Sequence, residues 1–294
     1  MPAGLDWASD GADWPHRERS RFVEAGGVDW HVQHWPRTDA PVLLLLHGAG
    51  ASTHSFARLA PLLAMRYEVI APDLPGHGFS GPAPPRAAGM EGMARGVTAL
   101  LRTLQRPAAL LVGHSAGAAV AVCMVLHAEA RPRAIAGINA ALLPLRGLAG
   151  TFFSPAAKLL ALNPLVPHFF AWRAADRFVL DRLLASTGSM VDDDSRRFYG
   201  RLIAHPGHVA GTLAMMAQWD LPALAAWLPK LTVPLHLLVG ERDGTIPPAD
   251  AARVQRLLPA STRQSWPGLG HLMHEEAPQR VADWLSGLAA QEQA

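Results

Sequence analysis

The chain has 294 residues, half of them hydrophobic and 17% charged, which supplies a large core and excludes a disordered protein. Twenty-six basic residues against 24 acidic ones leave a formal charge of +2 with no lysine or arginine run, so nucleic acid is not an expected partner. Cys123 is the sole cysteine, which rules out an intramolecular disulfide, and residues 1–21 lack the apolar stretch of a signal peptide; a cytoplasmic protein is the expectation.

Residues 1–20 read as an N-terminal extension. Arg21 to Glu24 and Val28 to Trp35 flank Gly26-Gly27, the spacing of a β-hairpin. Short apolar runs at Val42 to Leu46, Tyr67 to Ala71, Ala108 to Val112 and Ile135 to Asn139 predict buried strands. Apolar residues at helical spacing over Ser55 to Met65, Met90 to Leu104 and Ala116 to Ala128 predict helices between them. The alternation resumes with strands at Val233 to Val239 and Thr262 to Trp266 and helices at Ala249 to Leu258 and Pro278 to Leu288, so a mostly parallel sheet with helices on both faces follows. From 140 to 216 prolines punctuate helix-like pieces without a strand, which predicts a helical cap inserted into a core formed by residues 21–139 and 217–294.

The stretch Pro107 to Ala128 is apolar enough to raise the question of a membrane span. His114 and Ser115 stand in its middle, however, and strand, turn and helix account for the same residues.

That turn is Gly113-His114-Ser115-Ala116-Gly117, a G-x-S-x-G pentapeptide between a strand and a small-residue helix. A sharp turn there holds the serine hydroxyl proud of the sheet, and glycines at both flanks let strand and helix approach. A serine hydroxyl is a weak nucleophile at neutral pH, so it needs a base, and the base needs a group to fix its tautomer. His271, after Gly268-Leu269-Gly270, and Asp243, after the strand ending near Gly240, both fall at carboxyl ends of strands, where open sheets gather their sites. Ser115, Asp243 and His271 are therefore the candidate catalytic residues, with Glu241 and Asp250 the nearest rival carboxylates. The turn Leu46-His47-Gly48-Ala49-Gly50 offers the N–H of Ala49, and the start of the following helix that of Ala116, as the candidate oxyanion hole. Asp73, in the loop Asp73 to Ser80, is read as a loop-shaping residue.

Three H-x-x-H pairs invite a metal reading: His31 and His34, His205 and His208, His271 and His274. No carboxylate–histidine motif accompanies them, and a strand sends the first pair to opposite faces, so neither a metal nor a cofactor is expected. The cap holds Phe152, Phe153, Phe169, Phe170 and Trp172, which suggest a pocket roof for a small apolar or aromatic substrate.

Taken together, His47-Gly48, Asp73-Leu74-Pro75-Gly76-His77-Gly78-Phe79-Ser80, the Ser115 pentapeptide, Asp243 and Gly270-His271 resemble the α/β-hydrolase family over roughly residues 20 to 290. The resemblance implies an eight-stranded sheet and the chain order nucleophile, acid, histidine. Ser115 stands where the epoxide hydrolases and haloalkane dehalogenases of that family carry aspartate. Residues Ser20 to Gly27, His47 to Ser55 and Trp14-Pro15 are more narrowly similar to the magnesium-chelatase accessory proteins of bacteriochlorophyll biosynthesis. This implies a role near magnesium insertion into protoporphyrin IX, with a tetrapyrrole ligand and magnesium-chelatase subunits as partners. The readings left open are hydrolysis of an ester, amide or activated C–C bond, a non-catalytic porphyrin carrier or chelatase partner, and peripheral membrane contact through the apolar cap region Leu142 to Trp172.

Overall fold

The computed structural model describes residues 4–84, 87–144, 163, 165–174 and 176–291. Eight strands form one sheet: β1 (Ser20–Ala25), β2 (Val28–Trp35), β3 (Val42–Leu46), β4 (Glu68–Pro72), β5 (Leu110–His114), β6 (Ala134–Ile138), β7 (Leu235–Gly240) and β8 (Thr262–Trp266). Their order is β1-β2-β4-β3-β5-β6-β7-β8, with the β1–β2 and β2–β4 pairings antiparallel and the other five parallel. Gly26 and Gly27 turn the opening hairpin at φ 60° and 76°, left-handed values that glycine adopts without a Cβ penalty.

The helices are α1 (Ala60–Leu63), α2 (Met90–Leu104), α3 (Ala116–His127), α4 (Leu165–Ala174), α5 (Arg177–Ser186), α6 (Asp193–Ile203), α7 (Pro206–Ala217), α8 (Leu221–Trp227), α9 (Ala249–Leu257), α10 (Met273–Glu276) and α11 (Pro278–Gln291). The leucine run of β3 shows why the sheet is covered twice. Leu44 and Leu46 point into a core with α2, α3, α8 and α9, whereas Leu43 and Leu45 point into a second core with α1 and α11. Successive strand side chains alternate in direction, so an unbroken apolar run needs an apolar layer on each face.

The predicted helix Ser55 to Met65 is broken into a 3-10 turn at Thr53–Phe56 and the short α1. Pro61 lies inside that stretch, and its missing N–H and its ring oppose a continuous helix. The strand predicted over Val233 to Val239 begins only at Leu235, since Pro234 cannot donate to a ladder. Asn139, predicted as the end of a strand, lies just past β6 at φ 45°.

Between β6 and β7 the described residues contain helices and no strand, and α4 packs on α7. Residues ahead of β1 lie against both this helical segment and the loop after β4. Trp14 is buried between Phe79 and Phe198 and donates its indole N–H to Thr53 Oγ1 at 3.2 Å, while Asp13 accepts from Arg197 and Arg201 of α6. Among the described residues no helix is long and apolar enough to cross a membrane; the apolar stretch Pro107 to Ala128 divides into β5 and α3.

Candidate active site

Ser115 joins β5 to α3 with φ 50° and ψ −113°, a backbone state that L-residues rarely occupy. Its N–H donates to Ile138 O at 2.9 Å and its carbonyl accepts from Ala141 N–H at 3.1 Å, so the bend is tied to β6 and the loop after it. The flanking glycines are required by close approach: a Cβ at Gly113 would overlap Ala118 backbone, and one at Gly117 would overlap the carbonyl of Leu46.

Asp243 and His271 meet at the carboxyl edge of the sheet. His271 Nδ1 and Asp243 Oδ2 are 2.8 Å apart, and both side chains are shielded from solvent. Asp243 Oδ1 accepts from the N–H groups of Thr245 at 2.7 Å and Ile246 at 2.9 Å, which fixes the carboxylate before it meets the imidazole. A carboxylate accepts only, so Nδ1 carries the proton and Nε2 is left with a lone pair, the tautomer of a general base. The rival carboxylates do not compete: Asp250 pairs with Arg253, and Glu241 is exposed.

His114, the residue before Ser115, touches this pair. His114 Nε2 donates to the main-chain oxygen of His271 at 2.9 Å, and the two rings lie 4.7 Å apart. Burial, reinforced by the nearby His274 and His271, holds the His114 imidazole well below its ordinary pKa and hence neutral. Among the described residues the Ser115 hydroxyl makes no hydrogen bond, to His271 or to any other group. Such bonds tighten when substrate binds.

The candidate oxyanion donors flank the same serine. A Cβ built on Gly48 would come within 3.2 Å of Ser115 Cβ, so the turn carrying Ala49 is in contact with the Ser115 bend. Neither Ala49 N–H nor Ala116 N–H makes a hydrogen bond among the described residues, and Ala116 heads a helix whose first N–H groups have no partner inside it. His47 braces the turn, accepting at Nε2 from Leu74 N–H at 2.9 Å and donating at Nδ1 to Gly48 O at 2.8 Å. Asp73 shapes its loop: buried, it accepts from Thr53 N–H at 2.7 Å, Phe79 N–H at 3.0 Å and His31 Nδ1 at 2.7 Å. Burial alone would raise its carboxyl pKa; the charge and hydrogen bond of His31 outweigh that and keep it lowered. His31 thus faces Asp73 while His34 faces Glu68, as alternation on β2 requires.

The described aromatics of α4 face outward. Phe169, Phe170 and Trp172 are 46–69% exposed, and Phe152 and Phe153 lie outside the described residues. The inward face of α4 carries Pro167 and Ala171, which are small enough for close packing, so the large rings are left on the outside.

Several residues that position the site have no motif. Asn139 Nδ2 donates to Gly270 O and His271 O, each at 2.9 Å, while its Oδ1 accepts from Gly240 N–H at 2.8 Å. Thr187, just after α5, offers one carbonyl to two loops, accepting from Gly244 N–H at 3.1 Å and His271 N–H at 3.0 Å. Beneath His271, Glu275 accepts from Tyr199 of α6 at 2.7 Å and from Ser55, which also contacts His274 Nε2 at 2.8 Å. Burial pushes Glu275 up to about 7 despite those hydrogen bonds. The sequence signal for Asn139 was a polar residue closing an apolar strand at the active edge; Thr187 gave none.

This sheet order and this edge define the class: the chain belongs to the alpha/beta hydrolase family, whose model matches residues 43–284. Within that class it is 40% identical over 280 residues to the magnesium-chelatase 30 kDa subunit of Rhodobacter capsulatus, covering 94% of this chain and 98% of that protein. The mouse sn-1-specific diacylglycerol lipase ABHD11 is 26% identical over 85% of this chain and 81% of its own length. Among solved structures, an alpha/beta hydrolase fold protein from Burkholderia ambifaria superposes with a TM-score of 0.75 at 20% identity, covering 97% of this chain and 99% of that one. A thermophilic esterase from Thermogutta terrifontis gives 0.73 at 23% identity, covering 94% and 99%; both share the fold.

Proposed function

We propose that this chain is a serine-nucleophile hydrolase working as an accessory of magnesium insertion into protoporphyrin IX. The observation that carries the chemical half is the 2.8 Å Asp243–His271 pair, touched by His114 next to a serine held at positive φ, with two unbonded N–H groups on neighbouring turns. The accessory half rests on 40% identity to a magnesium-chelatase subunit along nearly the whole of both chains.

In this reading Ser115 Oγ attacks a carbonyl carbon while His271 Nε2 takes the hydroxyl proton. Asp243 stabilises the resulting imidazolium and holds its ring. Negative charge gathers on the former carbonyl oxygen, where Ala49 N–H and Ala116 N–H are disposed to receive it. Collapse expels the leaving group, which takes the proton back from His271, and water deacylates Ser115 by the same steps in reverse. The substrate class is an ester, amide or activated C–C bond on a small apolar or aromatic molecule, a tetrapyrrole included, and magnesium is cargo rather than cofactor.

The test is fluorophosphonate labelling of the full chain. The wild type is expected to form a covalent adduct, Ser115→Ala to form none, and His271→Ala to react at least about a hundredfold more slowly. In a reconstituted magnesium-chelatase assay, stimulation of insertion should disappear with Ser115→Ala. Stimulation that survives this substitution would favour the second reading, a non-catalytic porphyrin-binding partner of the chelatase; the unbonded Ser115 hydroxyl is the observation that keeps it in view.

A further inference from the structure

We propose that the outer face of α4 and the beginning of α5 is a docking surface for a bilayer containing anionic lipids. The first observation is an inverted apolar stripe. In an ordinary surface helix the residues at i, i+3, i+4 and i+7 that are apolar face the core. In α4 the residues at that spacing, Leu165, His168, Phe169 and Trp172, are all exposed, and the buried positions are Pro167 and Ala171. The rings are in mutual contact, with Phe169 centred 6.0 Å from Trp172 and 5.9 Å from Phe170.

The second observation is concentration. Among the described residues, seven of the eleven exposed large hydrophobic side chains fall between Leu165 and Met190. Scattered single apolar residues need no explanation, but a contiguous set on neighbouring helices marks a contact surface. Helices α4 and α5 pack together, so Phe178, 65% exposed, extends the surface begun by Phe169 and Trp172.

The third observation, charge, selects the occupant. Arg173, Arg177 and Arg182 are exposed and make no ion pair among the described residues; Arg173 lies over Trp172 and Arg182 over Phe178. The acids nearby are already engaged, Asp181 with Arg196 and Asp176 in capping α5 through Phe178 N–H. The sequence from Ala140 to Ala175 contains no aspartate or glutamate. Large rings beneath unpaired guanidinium groups suit an anionic headgroup layer: the rings enter the acyl boundary and the arginines stay with the phosphates. A protein partner would call for directional polar contacts, about one per 100–200 Å² of interface, and α4 presents only the His168 imidazole and the Trp172 indole N–H as uncharged side-chain groups able to hydrogen-bond.

The geometry also joins this face to the site. Helix α5 runs directly into Thr187, whose carbonyl holds the loops of Asp243 and His271. A bilayer seated on α4 and α5 would therefore lie one helix from the candidate base, where a sparingly soluble substrate could be delivered. The docking surface itself does not depend on the chemistry proposed for Ser115.

Co-sedimentation of the full chain with vesicles tests this, using phosphatidylcholine alone or mixed with phosphatidylglycerol, at low and high salt. Binding is expected to the mixed vesicles at low salt and to fall at high salt. The pair Phe169→Ser and Trp172→Ser should weaken it about tenfold or more, and Arg173→Glu with Arg177→Glu should abolish the preference for phosphatidylglycerol. Trp172→Phe, a conservative change, should keep binding and remove most of the tryptophan quenching caused by brominated lipid. No sedimentation with mixed vesicles, equal binding to pure phosphatidylcholine, undiminished binding of the serine pair, or capture of purified magnesium-chelatase subunits through these residues without any vesicle binding would each overturn the proposal.

Discussion

Asn139 donates its side-chain amide N–H to the main-chain oxygen of His271 at 2.9 Å. With its other contacts to Gly270 and Gly240, this one side chain spans the loop of the candidate base and the strand end that leads to Asp243. Asn139→Ala would leave buried acceptors and a donor unpaired, an expected loss of about 2 kcal/mol or more, read from the urea midpoint. Fluorophosphonate labelling of Ser115 should slow with it. An unchanged labelling rate in a destabilised variant would mean that Asn139 supports the fold alone.

Ser115→Gly is expected to stabilise the protein while removing the adduct. The serine sits at φ 50° and ψ −113°, a state costing about 1–3 kcal/mol for an L-residue, whereas glycine adopts it freely at some cost in unfolded-state entropy. A net gain of about 1 kcal/mol should appear in thermal melts; a loss of stability would refute the strain.

Gly188→Ala should loosen the strap that follows α5. Gly188 has φ 74°, and a Cβ there would overlap the carbonyl of Arg242. Its displacement would carry Thr187 with it and release the N–H groups of His271 and Gly244. Faster hydrogen exchange at those two amides, together with slower labelling of Ser115, is the expected pair of results.

Acid should unfold the chain steeply. Burial holds His54 and His274 at about 3 and His208 at about 4, and it lowers His47, His77 and His114 as well. These groups are neutral when folded but take up protons near 6.5 when unfolded, so stability is lost as pH falls below about 6.5. Glu275 acts oppositely: raised to about 7, it contributes stability that is lost as pH rises from about 4.5 to about 7. One carboxyl does not offset six imidazoles, and each unmatched proton is worth about 1.4 kcal/mol per pH unit. A urea midpoint that holds steady from pH 7 to pH 5 would contradict this.

Much of the fold could be read from the sequence because its signals are local. The β3 leucines, the paired glycines at 26–27 and the Ser115 pentapeptide each specify their structure within a few residues, and all three lie where expected. Asp243 and His271 were legible through their positions after apolar strands, and they meet at 2.8 Å. What could not be read depends on distant partners. Asn139 acts on residues 131 and 132 positions away, and Tyr199 reaches Glu275 across 76. The outward setting of Phe169, Phe170 and Trp172 could not be read for a related reason: composition gives the number of rings, but Pro167 and Ala171 decide which way the helix faces.

The brace formed by Asp13 and Trp14 against α6 bears on how this protein is best handled. Trimming away the first nineteen residues, or fusing a bulky tag to them, would unfasten α6 from the Asp73 loop and uncover the rings of Phe79 and Phe198. Affinity handles therefore belong at the carboxyl end, and a truncated version that aggregates would be reporting this exposed apolar seam rather than a defect at Ser115.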